Sequence, residues 1–102
     1  MAYRRTAPAG LIPLGFQVIS LANSTAGTLN STCAAGSAFH ISVETQAGRY
    51  RADSTAPTMT TGVLLPASAQ YWLDGVRGSA LKFQRSTGTC KISVMAYKRP
   101  GE

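Results

Sequence analysis

The chain is expected to be all-β: a single-domain antiparallel β-sandwich or small barrel of about seven strands with an extended N-terminal arm. Three observations predict this. Short runs alternate apolar and polar side chains with the period of two that a half-buried strand requires. Turn residues interrupt these runs at intervals of about eight to twelve residues. No window carries the i, i+3, i+4, i+7 spacing of an amphipathic helix. Composition agrees. The 102 residues suffice for one core. Charged residues make up only 14% of the chain, below the usual quarter or so, and serine, threonine, alanine and glycine fill the difference. Weakly charged strands joined by small turn residues have this composition.

Taken in order, residues 1–15 (MAYRRTAPAGLIPLG) show neither period. They hold Pro8, Pro13, Gly10, Gly15 and the pair Arg4–Arg5, and are expected to form an extended arm lying on its own domain or on a neighbour. A basic start followed by the moderately apolar residues 11–21 raises the question of a signal peptide. Proline, glycine and Gln17 interrupt that segment, and cleavage there would remove the first strand, so none is expected. No apolar run approaches the roughly 20 residues of a membrane helix, and no membrane partner is expected.

Residues 16–22 (FQVISLA) alternate, with Phe16, Val18, Ser20 and Ala22 on one side and Gln17, Ile19 and Leu21 on the other. Both sides carry apolar groups, which predicts a strand covered on both faces. Residues 23–27 form a turn, and residues 28–33 are expected to add a short strand. The firmest strand is residues 38–45, where Phe39, Ile41 and Val43 share one face and His40, Ser42 and Glu44 the other. Gln46 to Gly48 would turn the chain, as a hairpin, into residues 49–52. Strands at 63–65, 70–73, 80–85 and 90–98 follow, separated by Pro66, by the Asp74–Gly75 turn and by Thr87–Gly88. Leu81 and Phe83 are expected to point inward, with Lys82 and Gln84 outward. In the last strand Cys90, Ile92, Val94 and Ala96 alternate with Lys91, Ser93, Met95 and Tyr97.

Between two of these strands the chain changes character. Residues 49–62 read RYRADSTAPTMTTG. Asp53, Ser54 and Thr55 have short side chains that bond their own backbone in turns. Pro57 fixes φ and biases the residue before it toward extended backbone. Thr58 continues the extended path, and Gly62 permits a bend that a Cβ would resist. A strand bearing Arg49 and Arg51 is expected to run into a long ordered loop, long enough to cross between sheets.

Little here supports catalysis. The acids are Glu44, Asp53, Asp74 and Glu102. Asp74 belongs to a turn and Glu102 is the last residue, so Glu44 and Asp53 form the one candidate pair, facing each other across the hairpin. Pairing of such acids with Arg49 or Arg51 is the simpler expectation. His40, Ser42 and Glu44 evoke a triad, but same-face neighbours on a strand stand roughly 7 Å apart, too far for a proton relay. Cys33 and Cys90 lack metal or redox spacing, and the lone His40 cannot complete a zinc shell. One disulfide between neighbouring strands is the alternative to the favoured expectation, that both thiols are reduced and buried. No catalytic residue, metal or cofactor is expected.

The net charge of +6 reflects ten basic residues, spread over several elements, against four acids. Set near Tyr50, Tyr71, Trp72 and Phe83, they could form a single-strand nucleic-acid platform on a β-barrel. Against that, Phe83 shares the apolar side with Leu81, and a surface complementary to an acidic protein explains the charge as well. Tyr71 and Trp72 also suggest a carbohydrate platform, but adjacent strand residues point to opposite faces. Nucleic acid is not the expected partner.

The order from Gly36 to Lys98 resembles a recurrent small protein of tailed bacteriophages. The resemblance rests on residues 43–46 (VETQ), on Arg49, Tyr50 and Arg51, on Asp53, Thr55, Pro57, Thr58 and Gly62, and on Lys82, Phe83 and Tyr97. It covers about the last two-thirds of the chain. Family members often carry glycine after the acid, where this chain has Ser54, so that turn is expected to differ. The resemblance implies a β-sandwich virion protein: a head decoration (cement) protein bound to the major capsid protein, or a neck or tail component. It further implies a homo-oligomer, dimer or trimer, assembled in the host cytoplasm. In that setting the arm would lie on an adjacent subunit through Tyr3, Arg4, Arg5, Leu11 and Ile12, and Arg49, Arg51, Asp53, Pro57, Thr58 and Gly62 would build the loop.

Overall fold

The computed structural model describes residues 2–4, 10–23 and 25–100, the first three by backbone course alone. Among them, nine strands form two antiparallel sheets: β1 (Ala2–Arg4), β2 (Ile12–Leu21), β3 (Gly27–Thr28), β4 (Ala38–Glu44), β5 (Gly48–Arg51), β6 (Val63–Leu65), β7 (Gln70–Asp74), β8 (Lys82–Arg85) and β9 (Cys90–Lys98). One sheet has the order β1-β7-β4-β9-β2, the other β3-β8-β5-β6. A single helical turn, α1 (Ser31–Ala34), and a 3-10 turn at Gly78–Ala80 complete the elements. The fold is all-β and sandwich-like.

The alternating residues account for the core. Phe39, Ile41 and Val43 of β4, Leu73 of β7 and Cys90, Ile92, Val94 and Ala96 of β9 line the inner face of the five-stranded sheet, all at most 1% exposed. Tyr50 of β5, Leu65 of β6 and Phe83 of β8 meet them from the other sheet, and Leu81 closes the same cluster. Each fully buried side chain of this size contributes roughly 1.5–3 kcal/mol through removal from water.

Several expectations are corrected. The first concerns the proposed hairpin of residues 38–45 with residues 49–52. β4 pairs with β7 and β9, whereas β5 pairs with β6 and β8. Residues 45–47 therefore carry the chain from one sheet to the other, helped by the left-handed backbone of Thr45 (φ 66°). Of residues 28–33, only Thr28 belongs to a strand. After the two-residue β3, the Asn30 side chain accepts a hydrogen bond of 2.9 Å from the Cys33 amide and caps α1. Short polar side chains at Asn30, Ser31 and Thr32 favour such local bonds over a ladder.

The strand at residues 16–22 is covered on one face only. Ile19 and Leu21 are buried, but Phe16 is 60% and Val18 48% exposed. The strand also begins earlier, at Ile12, inside the segment read as an arm, with a bulge between Pro13 and Gly15 that keeps Leu14 against the core. Ala2–Arg4 lies along β7 of its own domain, with Tyr3 in register with Leu73 and Arg4 with Trp72. Arg5 lies outside the described residues, as does Glu102. Gln84, expected outside, is 2% exposed; it sits in register with Arg49 and accepts a bond of 2.8 Å from the Arg85 amide.

Candidate interaction surface

The loop after β5 is held by its own side chains. Arg49 points away from the core, on the face opposite Tyr50, and donates to the carbonyls of Met59 and Gly62, each at 3.0 Å. The loop thus folds back over the outer face of the four-stranded sheet. Arg51 pairs with Asp53 through two guanidinium nitrogens, Nε donating to Oδ1 at 3.1 Å and Nη2 to Oδ2. That bond holds the Asp53 carboxyl below the ordinary carboxylate range and raises the Arg51 guanidinium. The Thr58 hydroxyl accepts from the Thr61 amide at 3.0 Å and lies 2.7 Å from the Thr61 hydroxyl. Pro57 is buried, and a Cβ on Gly62 would meet the Pro57 ring at 2.9 Å. Gly62 (φ 117°) therefore meets both a conformational and a steric demand. Ser54 takes a left-handed backbone (φ 69°), the conformation glycine adopts most easily, and its amide donates to Ala80 at 3.0 Å.

Glu44 and Asp53 do not face each other. Glu44 sits on the five-stranded sheet and accepts from the Ser93 hydroxyl at 2.7 Å, while Asp53 belongs to the loop of the other sheet. Asp74, buried at the end of β7, pairs with Arg99. His40 stacks against Trp72 with ring centroids 4.9 Å apart, and Trp72 against Tyr97 at 5.3 Å, on the outer face of the five-stranded sheet. Tyr50, Tyr71 and Phe83 are buried. Of the aromatic residues considered for a nucleic-acid platform, Trp72 alone is on that outer face.

Cys33 and Cys90 are free and fully buried. Burial raises both thiols, Cys90 to about 11. Among the described residues no three His, Cys, Asp or Glu side chains gather to hold a metal ion. Nor is any helix among those residues long and apolar enough to cross a membrane. Two open hollows stand out among the described residues. One of about 370 Å³ is lined by Tyr50, Arg51, Ala52, Asp53, Gly62 and Val63. The other, about 480 Å³, lies between α1 and the turn after β7, with Arg77 and Arg99 at its rim.

The exposed large apolar side chains, of which only Val63 also lines a hollow, are concentrated on two strands and one loop. Ile12, Phe16 and Val18 lie on β2, the terminal strand of one sheet. Val63 (51% exposed) and Leu64 (48%) lie on β6, the terminal strand of the other, and Met59 lies in the loop that leads to it. A terminal strand already presents unpaired backbone groups. Apolar side chains there add surface that gains by being covered. The sequence showed Phe16 and Val18 as one side of an alternating run, but which sheet position that run would take was not visible in it. Comparison of the chain with protein-family models, curated proteins and solved structures gives no match.

Proposed function

We propose that the chain is a non-enzymatic structural protein of a virion, a capsid decoration (cement) protein that binds the major capsid lattice and its own copies. The observation that carries this reading is the placement of the exposed large apolar side chains on the two sheet-terminal strands and the adjoining loop. Such strands offer both ladder hydrogen bonds and apolar surface to neighbouring subunits. The residues of the phage resemblance support it in a second way. Arg49, Arg51, Asp53, Pro57, Thr58 and Gly62 are engaged with one another or with the loop backbone, which gives a firm scaffold. The net charge of +6 suits an acidic lattice.

A neck or tail component is the companion reading, and copy number separates the two. Quantitative mass spectrometry of purified particles should give a ratio to the major capsid protein near one, or a simple fraction of it. A handful to a few dozen copies would move the protein to the neck or tail. Complete absence from particles would overturn the virion reading and return attention to a nucleic-acid-binding role, for which steeply salt-dependent binding to oligonucleotides is the test.

A further inference from the structure

We propose that the end of the sandwich around α1 is a docking site for an acidic segment of a partner protein, with one carboxylate of that segment entering the hollow between α1 and the turn after β7. The inference rests on the reading that the chain binds an acidic lattice, and it names the surface that does so.

The basic side chains are unevenly placed. β9 reaches this end at Lys98, and Arg99 follows it to the rim of the hollow. Arg77 lies in the turn after β7. β8 starts at Lys82, just beyond the 3-10 turn, and β5 arrives beside it at Arg51. Among the described residues, these five cations meet two acids, Asp53 and Asp74, each already paired with an arginine. At the opposite end β4 and β8 stop and β9 starts, and Arg85 and Lys91 stand there against Glu44. Positive charge is thus gathered at one end, where it attracts and orients an acidic partner.

The hollow of about 480 Å³ gives that charge a shaped site. Backbone bonds hold its walls together. The Gly75 amide donates to the Ser37 carbonyl and the Ser37 amide to the Tyr97 carbonyl, both at 3.0 Å, and the Gly78 amide to the Gly36 carbonyl at 3.3 Å. Binding therefore requires little further ordering of the backbone. Arg77 is exposed and has no ion pair among the described residues. Arg99 is anchored on the buried carboxylate of Asp74. A carboxylate entering the hollow meets one positive charge held in place and a second that is able to close on it, and the planar fork of arginine suits its two oxygens.

The lining selects the kind of partner. Apart from the two arginines it consists of alanine, glycine, serine and valine. No ring is present there on which a nucleobase would stack. The nearest aromatic pair in the fold, Trp72 and Tyr97, is stacked on itself on the outer face of the five-stranded sheet. An aspartate or glutamate side chain needs no such platform, and further acids on the same segment have Lys82 and Lys98 at the same end.

Fluorescence anisotropy of labelled poly-L-glutamate, and of oligo(dT) of equal charge, tests this on the full chain. Wild type should bind the glutamate polymer more tightly than the oligonucleotide, with an affinity that falls as salt is added. Arg77→Glu and Lys98→Glu should each weaken that binding about tenfold while keeping the wild-type thermal melt. Lys91→Glu makes the same change of charge at the opposite end and should bind like wild type. Absence of binding at low salt, or an equal loss from Lys91→Glu, would overturn the site. Tighter binding of the oligonucleotide would overturn the partner. The two readings fail separately. Poly-L-glutamate bound through Arg77 by a chain that is absent from particles leaves the site and removes the virion role. Normal incorporation of Arg77→Glu into particles keeps the virion role and removes the site.

Discussion

In the five-stranded sheet, β2 and β9 run side by side from Ile12↔Lys98 to Leu21↔Cys90, and β4 lies along β9 from Ala38↔Tyr97 to Glu44↔Lys91. In the four-stranded sheet the longest ladder, between β5 and β8, runs only from Gly48↔Arg85 to Arg51↔Lys82. The first sheet has backbone bonds in quantity. The second supplements them with side chains: Arg49 on two loop carbonyls, Arg51 on Asp53, Thr58 within its own turn. Long strands tolerate an open edge with exposed apolar groups, whereas short strands depend on a loop that is internally satisfied. The sheet rich in ladder bonds therefore keeps a long open edge without a supporting loop.

The largest effect tests whether the sheets depend on each other. Phe39 and Phe83 are both fully buried, one from each sheet, in one cluster. Phe39→Ala and Phe83→Ala should each cost about 3–5 kcal/mol in denaturant unfolding, with a single transition seen by every probe. Two separated transitions would mean that the sheets are stable independently. Next comes the arginine on which the shorter sheet relies. Arg49→Met should cost about 1–3 kcal/mol, because two carbonyls lose a charged donor. It should also open residues 53–62 to proteolysis, and an unchanged cleavage rate would show that the loop needs no such fastening.

A smaller effect has the opposite sign. Ser54→Gly should raise stability by about 1 kcal/mol, by relieving a left-handed backbone that a Cβ disfavours. A destabilised variant would mean that the serine hydroxyl matters more than the backbone. The smallest effect concerns pH. Arg51 lowers the Asp53 carboxyl, so the pair contributes stability above the ordinary carboxylate value near pH 4, and that contribution is lost as pH falls through the lowered value. The stability difference between wild type and Asp53→Asn should therefore shrink on acidification and vanish below it. A difference constant with pH would assign the variant's effect to the turn rather than to the charge.

How much was legible follows the same division. Alternation in β4 and β9 identified Phe39, Ile41, Val43, Ile92 and Val94 as core, because period two survives wherever one face is buried. Gly62, Gly75 and Gly88 all have positive φ at turns that sequence had placed near them. Pairing was not legible. Two adjacent alternating runs look the same whether they form a hairpin or enter different sheets, so the turn expected at Gln46 to Gly48 is instead part of a crossing between sheets. Asn30 shows why residues 28–33 misled: one side-chain cap outweighed weak strand character. Phe16 and Val18 illustrate the site's limit, since an apolar outer face implies either a covering layer or an exposed edge, and alternation alone does not choose. Arg49 sits on β5 and reaches the loop only through its side chain, and its carbonyl partners there depend on the fold of the loop.

The position of β9 also shapes how the chain reaches its fold. β9 is last in chain order, yet it lies between β4 and β2. During synthesis β2 emerges early and β4 soon after, and neither meets its central partner until Lys98 has been added. Over that interval β2, uncharged and apolar on both sides, waits without its ladder. Pairings so distant along the chain are slow to form, and unpaired apolar strands aggregate in the meantime. Delay or truncation before β9 is therefore expected to be more harmful than an equal loss from the N-terminal strand β1. Yield on expression should depend more on how promptly β9 arrives than on the final stability of the sheets.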